Sequence, residues 1–224
     1  LPYSTQLIPL STVCTVLIDG NRIHTTSVKN IVKQWYLCGV FGELYGSANE
    51  TRYANDIVQV VKWINDGGDL PKTVTDFYFN PMRLLGLQSR QSAAYKGVMA
   101  LVLKNHARDF ISGAEMDIHH IFPKDYCIKE GYDKRKWNSV VHKTPISASS
   151  NREIGGYAPS VYLEKLEKKG SVTPADLDGY VETHWIDHNL LRADDFQNVI
   201  IDRAKTADRY RGSNWQNHLR QGLG

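Results

Sequence analysis

Cysteine is scarce. Cys14, Cys38 and Cys127 are far apart, odd in number and contain no Cys-x-x-Cys pair, which excludes a disulfide framework and a cysteine-built zinc ribbon. Free thiols fit a reducing cytoplasm, the compartment expected for this chain. No run of about 18 apolar residues occurs, so no membrane span is expected. The start also lacks a basic stretch followed by an apolar signal core. Beginning at Leu1-Pro2 without Met, the chain reads as a fragment of a longer polypeptide. A large excess of one charge is lacking too: 27 Lys and Arg face 24 Asp and Glu, a net +3 that permits nucleic-acid binding without requiring it. What remains is an ordinary globular composition, 42% hydrophobic and 23% charged, over 224 residues, enough for a substantial core in one domain or two.

Helical periodicity dominates the first half. Leu7, Leu10, Val13 and Leu17 mark one helix, broken by Asp19-Gly20-Asn21, and Val28 to Val40 mark a second that starts after Thr26 or Ser27. A third runs from Asn49-Glu50 to Gly67-Gly68. Residues 70 to 86 read as a connection with a short helix around Met82 to Leu85, and Gln91 to Asn105 as an apolar helix. Residues 1–107 carry no metal, triad or phosphate-loop signature and are expected to be an α-helical support region.

The chemistry concentrates in Asp117-Ile118-His119-His120-Ile121-Phe122-Pro123, followed by Asn138 and Asn151. Met116 to Phe122 reads as a strand, Val140 to Lys143 as its hairpin partner, and Ser149 or Ser150 as the cap of a helix beginning near Asn151. Gly155-Gly156 ends that helix early. The unit is strand, strand, helix. Phosphodiester hydrolysis needs a base to activate water, a cation to stabilise the phosphorane, and a rigid frame. An imidazole with a pKa near 6.5 suits the base, while a second imidazole and an asparagine oxygen can hold a divalent ion and leave water positions open. Adjacent strand residues face opposite ways, so the two histidines converge only where the strand twists or ends. Asp117 shares a strand face with His119 and can orient its imidazole or join the metal shell. Lys124, Lys143 and Arg152 put cations on the same side, suited to holding phosphates by charge. His142, His184, Asp187 and His188 read as structural.

These residues resemble the HNH, or ββα-metal, endonucleases, whose first motif is an acid or histidine, then histidine, an apolar residue, any residue and proline. His119-His120-Ile121-Phe122-Pro123 matches in order. The resemblance implies that His119 and Asn151 are metal ligands, His120 is the general base and Asn138 braces the hairpin loop. Leu1 to Leu10, Trp35 to Glu43 and Ser92 to Gly97 are similar to the C-terminal half of GmrSD-type restriction endonucleases, bacterial defence proteins that cut modified phage DNA. In that family a preceding domain carries an Asp-Gly-Gln-Gln-Arg motif, and these 224 residues contain none.

The expected fold is therefore mainly α (α+β): a helical bundle-like region (1–107), an embedded ββα-metal nuclease hairpin (108–170) and C-terminal helices (171–224). Pro159 to Lys169, a helix from Thr173-Pro174, and a last helix over 194–210 make up the end. Arg203, Lys205, Arg209, Arg211 and Arg220 read as a basic tail able to approach DNA. The expected function is a divalent-metal-dependent DNA endonuclease, a hydrolase acting in restriction and phage defence. Mg²⁺ is the first-choice ion, with Mn²⁺, Ni²⁺ or Zn²⁺ as alternatives, and DNA and a preceding domain of the same polypeptide are the expected partners. An RNA-directed or toxin nuclease and a non-catalytic nucleic-acid-binding module are the competing readings.

Overall fold

A computed structural model describes residues 1–46, 50–104 and 116–207. The chain is mainly helical with a small two-stranded antiparallel sheet. Its described residues cluster into two compact units, 1–79 with 90–97, and 80–89 with 98 onward.

The first unit contains α1 (Leu7–Asp19), α2 (Thr26–Phe41), α3 (Glu50–Asp66) and α4 (Lys72–Thr75). Val13 and Leu17 of α1, Val28, Val32 and Trp35 of α2, and Val60 and Ile64 of α3 form its apolar core, the stripes expected from helical periodicity. Beside it lies a buried polar chain. The Asp56 carboxylate, 1% exposed, accepts from the Tyr45 hydroxyl and from Thr73 Oγ1 at 2.9 Å, and Arg52 binds Thr73 and Asp76. Arg52 is thus a structural cation. Gly39 is required here, because a Cβ would come within 2.5 Å of both Gln6 and Tyr45.

The second unit contains a 3₁₀ turn, Pro81–Gly86, and the later part of α5 (Ala93–Leu103). The Asn49 cap expected for α3 and the Asn105 end expected for α5 lie outside the described residues. Next come β1 (Met116–His120), α6 (Lys124–Lys129), α7 (Lys134–Trp137), a 3₁₀ turn (Val140–His142) and β2 (Lys143–Ser147). Then follow α8 (Ala148–Ile154), α9 (Pro159–Gly170), α10 (Pro174–Thr183), α11 (His188–Arg192) and α12, helical from 196 to 207. Thr173 caps α10 through Asp176 N with Pro174 in its first turn, as the sequence predicts.

Three boundaries around the hairpin differ from expectation, the first being that β1 ends at His120, two residues before the expected Phe122. The partner strand is Lys143–Ser147, while Val140–His142 forms a turn. Pro145 argues against a strand in sequence, but both strands of this two-stranded sheet are edge strands, where proline is tolerated. The cap of α8 is Ser147, whose Oγ accepts from Ser150 N at 3.1 Å, so the helix starts three residues before Asn151. Gly155, at φ +55°, ends it as expected.

Arg203 is also reassigned. Its side chain is not part of a basic tail: it is 2% exposed and holds Val141 O at 2.9 Å, Lys143 O at 2.6 Å and His184 O at 3.1 Å. Lys205 is exposed, and Arg209, Arg211 and Arg220 lie outside the described residues. Arg203→Lys keeps the charge but loses the planar fork, so at least one carbonyl loses its donor. The substitution is expected to lower stability by about 2 kcal/mol, read as a lower midpoint in urea denaturation; an unchanged midpoint would show that the fork contributes little.

Candidate functional site

The site begins with strand alternation. Asp117 and His119 share one face of β1 with their ladder partners Ile146 and Thr144, and His120 lies on the other with Lys143. β1 ends at His120, and the two imidazole rings stand nearly perpendicular with centroids 6.3 Å apart. Pairing continues one step further through Ile121 N to His142 O, at 2.9 Å. The strand then turns at Pro123, which caps α6.

Ser147 is at once the last residue of β2 and the cap of α8, so strand runs into helix without a connecting loop. That junction puts Asn151 against β1. Its Nδ2 donates to Asp117 Oδ2 at 3.1 Å across 34 residues of sequence. The Asn151 side-chain oxygen is the opposite end of the donating amide. Nδ1 of His119 is buried and makes no hydrogen bond among the described residues. Burial holds its imidazole below the ordinary histidine pKa, against the opposing pull of the His120 backbone and the Asp117 carboxylate. One face of β1 thus carries an imidazole and a carboxylate, with the Asn151 amide bonded to the carboxylate. No group of three His, Cys, Asp or Glu suited to an ion occurs among the described residues.

His120 is held on its own side by aromatic neighbours. Trp137 meets it edge to face at 5.5 Å, and His142 lies at 5.8 Å. His142 is fully buried, the structural residue that the sequence suggests. Its Nδ1 lies 2.7 Å from Trp137 O, and its Nε2 accepts from Phe122 N at 3.1 Å. A backbone N–H can only donate, so the proton is assigned to Nδ1 and the ring is neutral. Burial holds the His142 pKa well below its ordinary value, with the charge of His120 acting in the same direction.

Asn138 caps α7 by donating its backbone N–H to Lys134 O at 3.0 Å, and its side chain donates to Gln88 Oε1 at 3.2 Å. Next to it, Val140 N donates to Leu87 O at 2.7 Å. Nothing in the sequence singles out Gln88, because a lone glutamine in a connection has no pattern. Trp137 was equally silent.

Among the cations, Lys124 and Arg152 are exposed, whereas Lys143 is 3% exposed and does not belong to the surface set. In the loop, Arg135 pairs with Asp133 at 2.9 Å and Lys136 binds Gln197, leaving Lys124, Lys129 and Lys134 as its exposed lysines. Burial pushes the Cys127 thiol up to about 12, which removes it as a nucleophile at neutral pH. Asp187 caps α11, His188 meets Glu182 at 2.8 Å, and His184 meets Thr144 at 2.7 Å, so those three serve separate local contacts.

No protein-family model and no solved structure matches the chain. It is 29% identical over 167 residues to an uncharacterized protein of Methanocaldococcus jannaschii, an alignment covering 70% of this chain and 29% of that protein. The chain thus spans less than a third of that relative's length. No helix among the described residues is long and apolar enough to cross a membrane.

The buried neutral His142 sets a pH dependence. Its folded pKa lies below the unfolded value of about 6.5, so its contribution to stability is complete above that value and is lost as the pH falls toward the depressed folded pKa. Thermal melts from about pH 8 to about pH 5 are expected to show a falling midpoint below about 6.5. His142→Gln is expected to be less stable throughout and to show a shallower fall; an unchanged slope would place the titrating group elsewhere.

Proposed function

We propose that this chain is a divalent-metal-dependent DNA endonuclease of the HNH type, acting in restriction of foreign or modified DNA. The observation that carries the reading is the contact of Asn151 with Asp117, on the strand face that also carries His119. Asp117 and Asn151, 34 residues apart, meet within a strand, strand, helix order, and a second histidine stands at the strand's end.

In this reading His119 and Asn151 hold the ion, with Asp117 as a further oxygen donor or as the group that orients Asn151. Mg²⁺ suits the oxygen donors, and the imidazole admits Mn²⁺, Ni²⁺ or Zn²⁺. A divalent ion held there would supply positive charge to the reacting phosphate and to the 3′-leaving oxygen. His120 accepts the proton of the attacking water, and the edge of Trp137 restricts its ring to one orientation. Asn138 braces the returning loop through Gln88. Lys124 and Arg152 bind backbone phosphates by charge, which gives little base specificity. Choice of modified DNA then rests on a preceding domain of the same polypeptide.

Plasmid nicking in Mg²⁺ or Mn²⁺ tests the assignment. His120→Ala is expected to slow nicking by about 10² to 10⁴ with an unchanged circular dichroism spectrum. Nicking at the unaltered rate would remove His120 as the base, and preferential cleavage of RNA would change the substrate.

The metal assignment has its own test. His119→Ala and Asn151→Ala are each expected to weaken Mn²⁺ binding by at least about tenfold in calorimetry. Unchanged affinity in both would move the ion elsewhere or favour a binding module without metal.

A further inference from the structure

Behind β2, on the side of α8, α9 and α10, lies a cavity of about 250 Å³. Thr144 and Ile146 of β2 form one wall, Ile154 of α8 and Leu163 of α9 two others, and Leu177 and Tyr180 of α10 a fourth. Every wall belongs to the second unit. Among the described residues no Lys, Arg, Asp or Glu lines it. That composition excludes phosphates and nucleotides, which need cations or a cluster of donors at the site. The cavity therefore suits a different class of ligand from the candidate nuclease site, although Thr144 and Ile146 lie on the sheet face that carries His119.

Its size and polar content limit the ligand. An apolar cavity of about 150 Å³ admits benzene, so this one has room for two fused rings. Polar groups in the wall are already paired with one another, Thr144 Oγ1 with His184 Nδ1 at 2.7 Å and the Tyr162 hydroxyl with Ile121 O at 2.9 Å, and the His184 ring lies 4.8 Å from that of Tyr180. Rings in the wall favour a flat aromatic partner by offset or edge contacts. The wall is open to solvent at Val172, in the turn from α9 to α10, and at Tyr180 of α10, which are 39% and 44% exposed.

We propose that this cavity is a binding site for a neutral aromatic molecule of bicyclic size carrying at most one polar group. Its wall shares β2 and α8 with the candidate nuclease site: Thr144 is the ladder partner of His119, and α8 carries Asn151. Binding stabilises the fold whether or not the nuclease reading holds, because any ligand that binds only the folded state raises the melting temperature.

Indole is the probe. It is expected to raise the melting temperature of the unaltered chain in a saturable way and to give a one-to-one calorimetric isotherm. Indole-3-acetate has the same rings with a carboxylate and is expected to give neither, since no cation in the wall receives its charge. Leu177→Trp, at a half-buried wall position, is expected to abolish the indole response with an unchanged circular dichroism spectrum. Should that variant not fold, Val172→Trp at the exposed mouth is expected to do the same. The proposal is overturned by no saturable response to indole at millimolar concentration, by an equal response to indole-3-acetate, or by a response retained in the folded variants.

Discussion

The second unit depends on one buried guanidinium. Arg203 leaves α12 and donates to carbonyls of the turn before β2, of β2 itself and of the segment after α10. Each is a backbone acceptor with few alternatives inside a packed domain, where an unpaired carbonyl costs about 1 to 3 kcal/mol. A rigid planar fork supplies these donors from a single side chain. Two of these carbonyls, of Val141 and Lys143, lie 62 and 60 residues from Arg203 along the chain, so one residue near the end of the described chain holds the start of β2.

Around that anchor the hairpin is held by groups that do no chemistry in the proposed mechanism. Neutral His142 joins Trp137 O to Phe122 N, and the Tyr162 hydroxyl donates to Ile121 O at 2.9 Å, so both ends of the returning loop are tied to buried partners. These bonds replace a continued ladder. They explain how two five-residue strands, the only ones among the described residues, can hold this hairpin, since an isolated two-stranded hairpin is marginal in water. The freedom left to the proposed reactive groups is small: His120 is packed against Trp137, and Asn151 is tied to Asp117.

The helices were largely legible in the sequence because their causes are local. Apolar spacing, the Asp19-Gly20-Asn21 break, Thr173-Pro174 and Gly155 act within a turn or two of the residues that carry them. The second strand was misplaced by three residues. Val140 and Val141 favour a strand by propensity, and Pro145 disfavours one, but His142 and Arg203 settle the matter through bonds to distant backbone. Arg203 itself was read from its charge and its basic neighbours, a pattern that cannot distinguish a solvated cation from one that satisfies buried carbonyls.

By itself the sequence determined a mainly helical chain, a strand beginning at Met116, and the polar residues that strand carries. Alternation along that strand also determined that Asp117 and His119 share a face, a consequence of backbone geometry alone. Tertiary structure decided the rest: that Lys143 and Arg203 are buried, that Gln88 meets Asn138, that Ser147 caps α8 and thereby brings Asn151 onto Asp117. The reason is range. Caps, turns and periodicity are set by neighbours in sequence, whereas burial of a cation or a contact across 34 residues depends on which distant backbone groups still need a partner once the helices have packed.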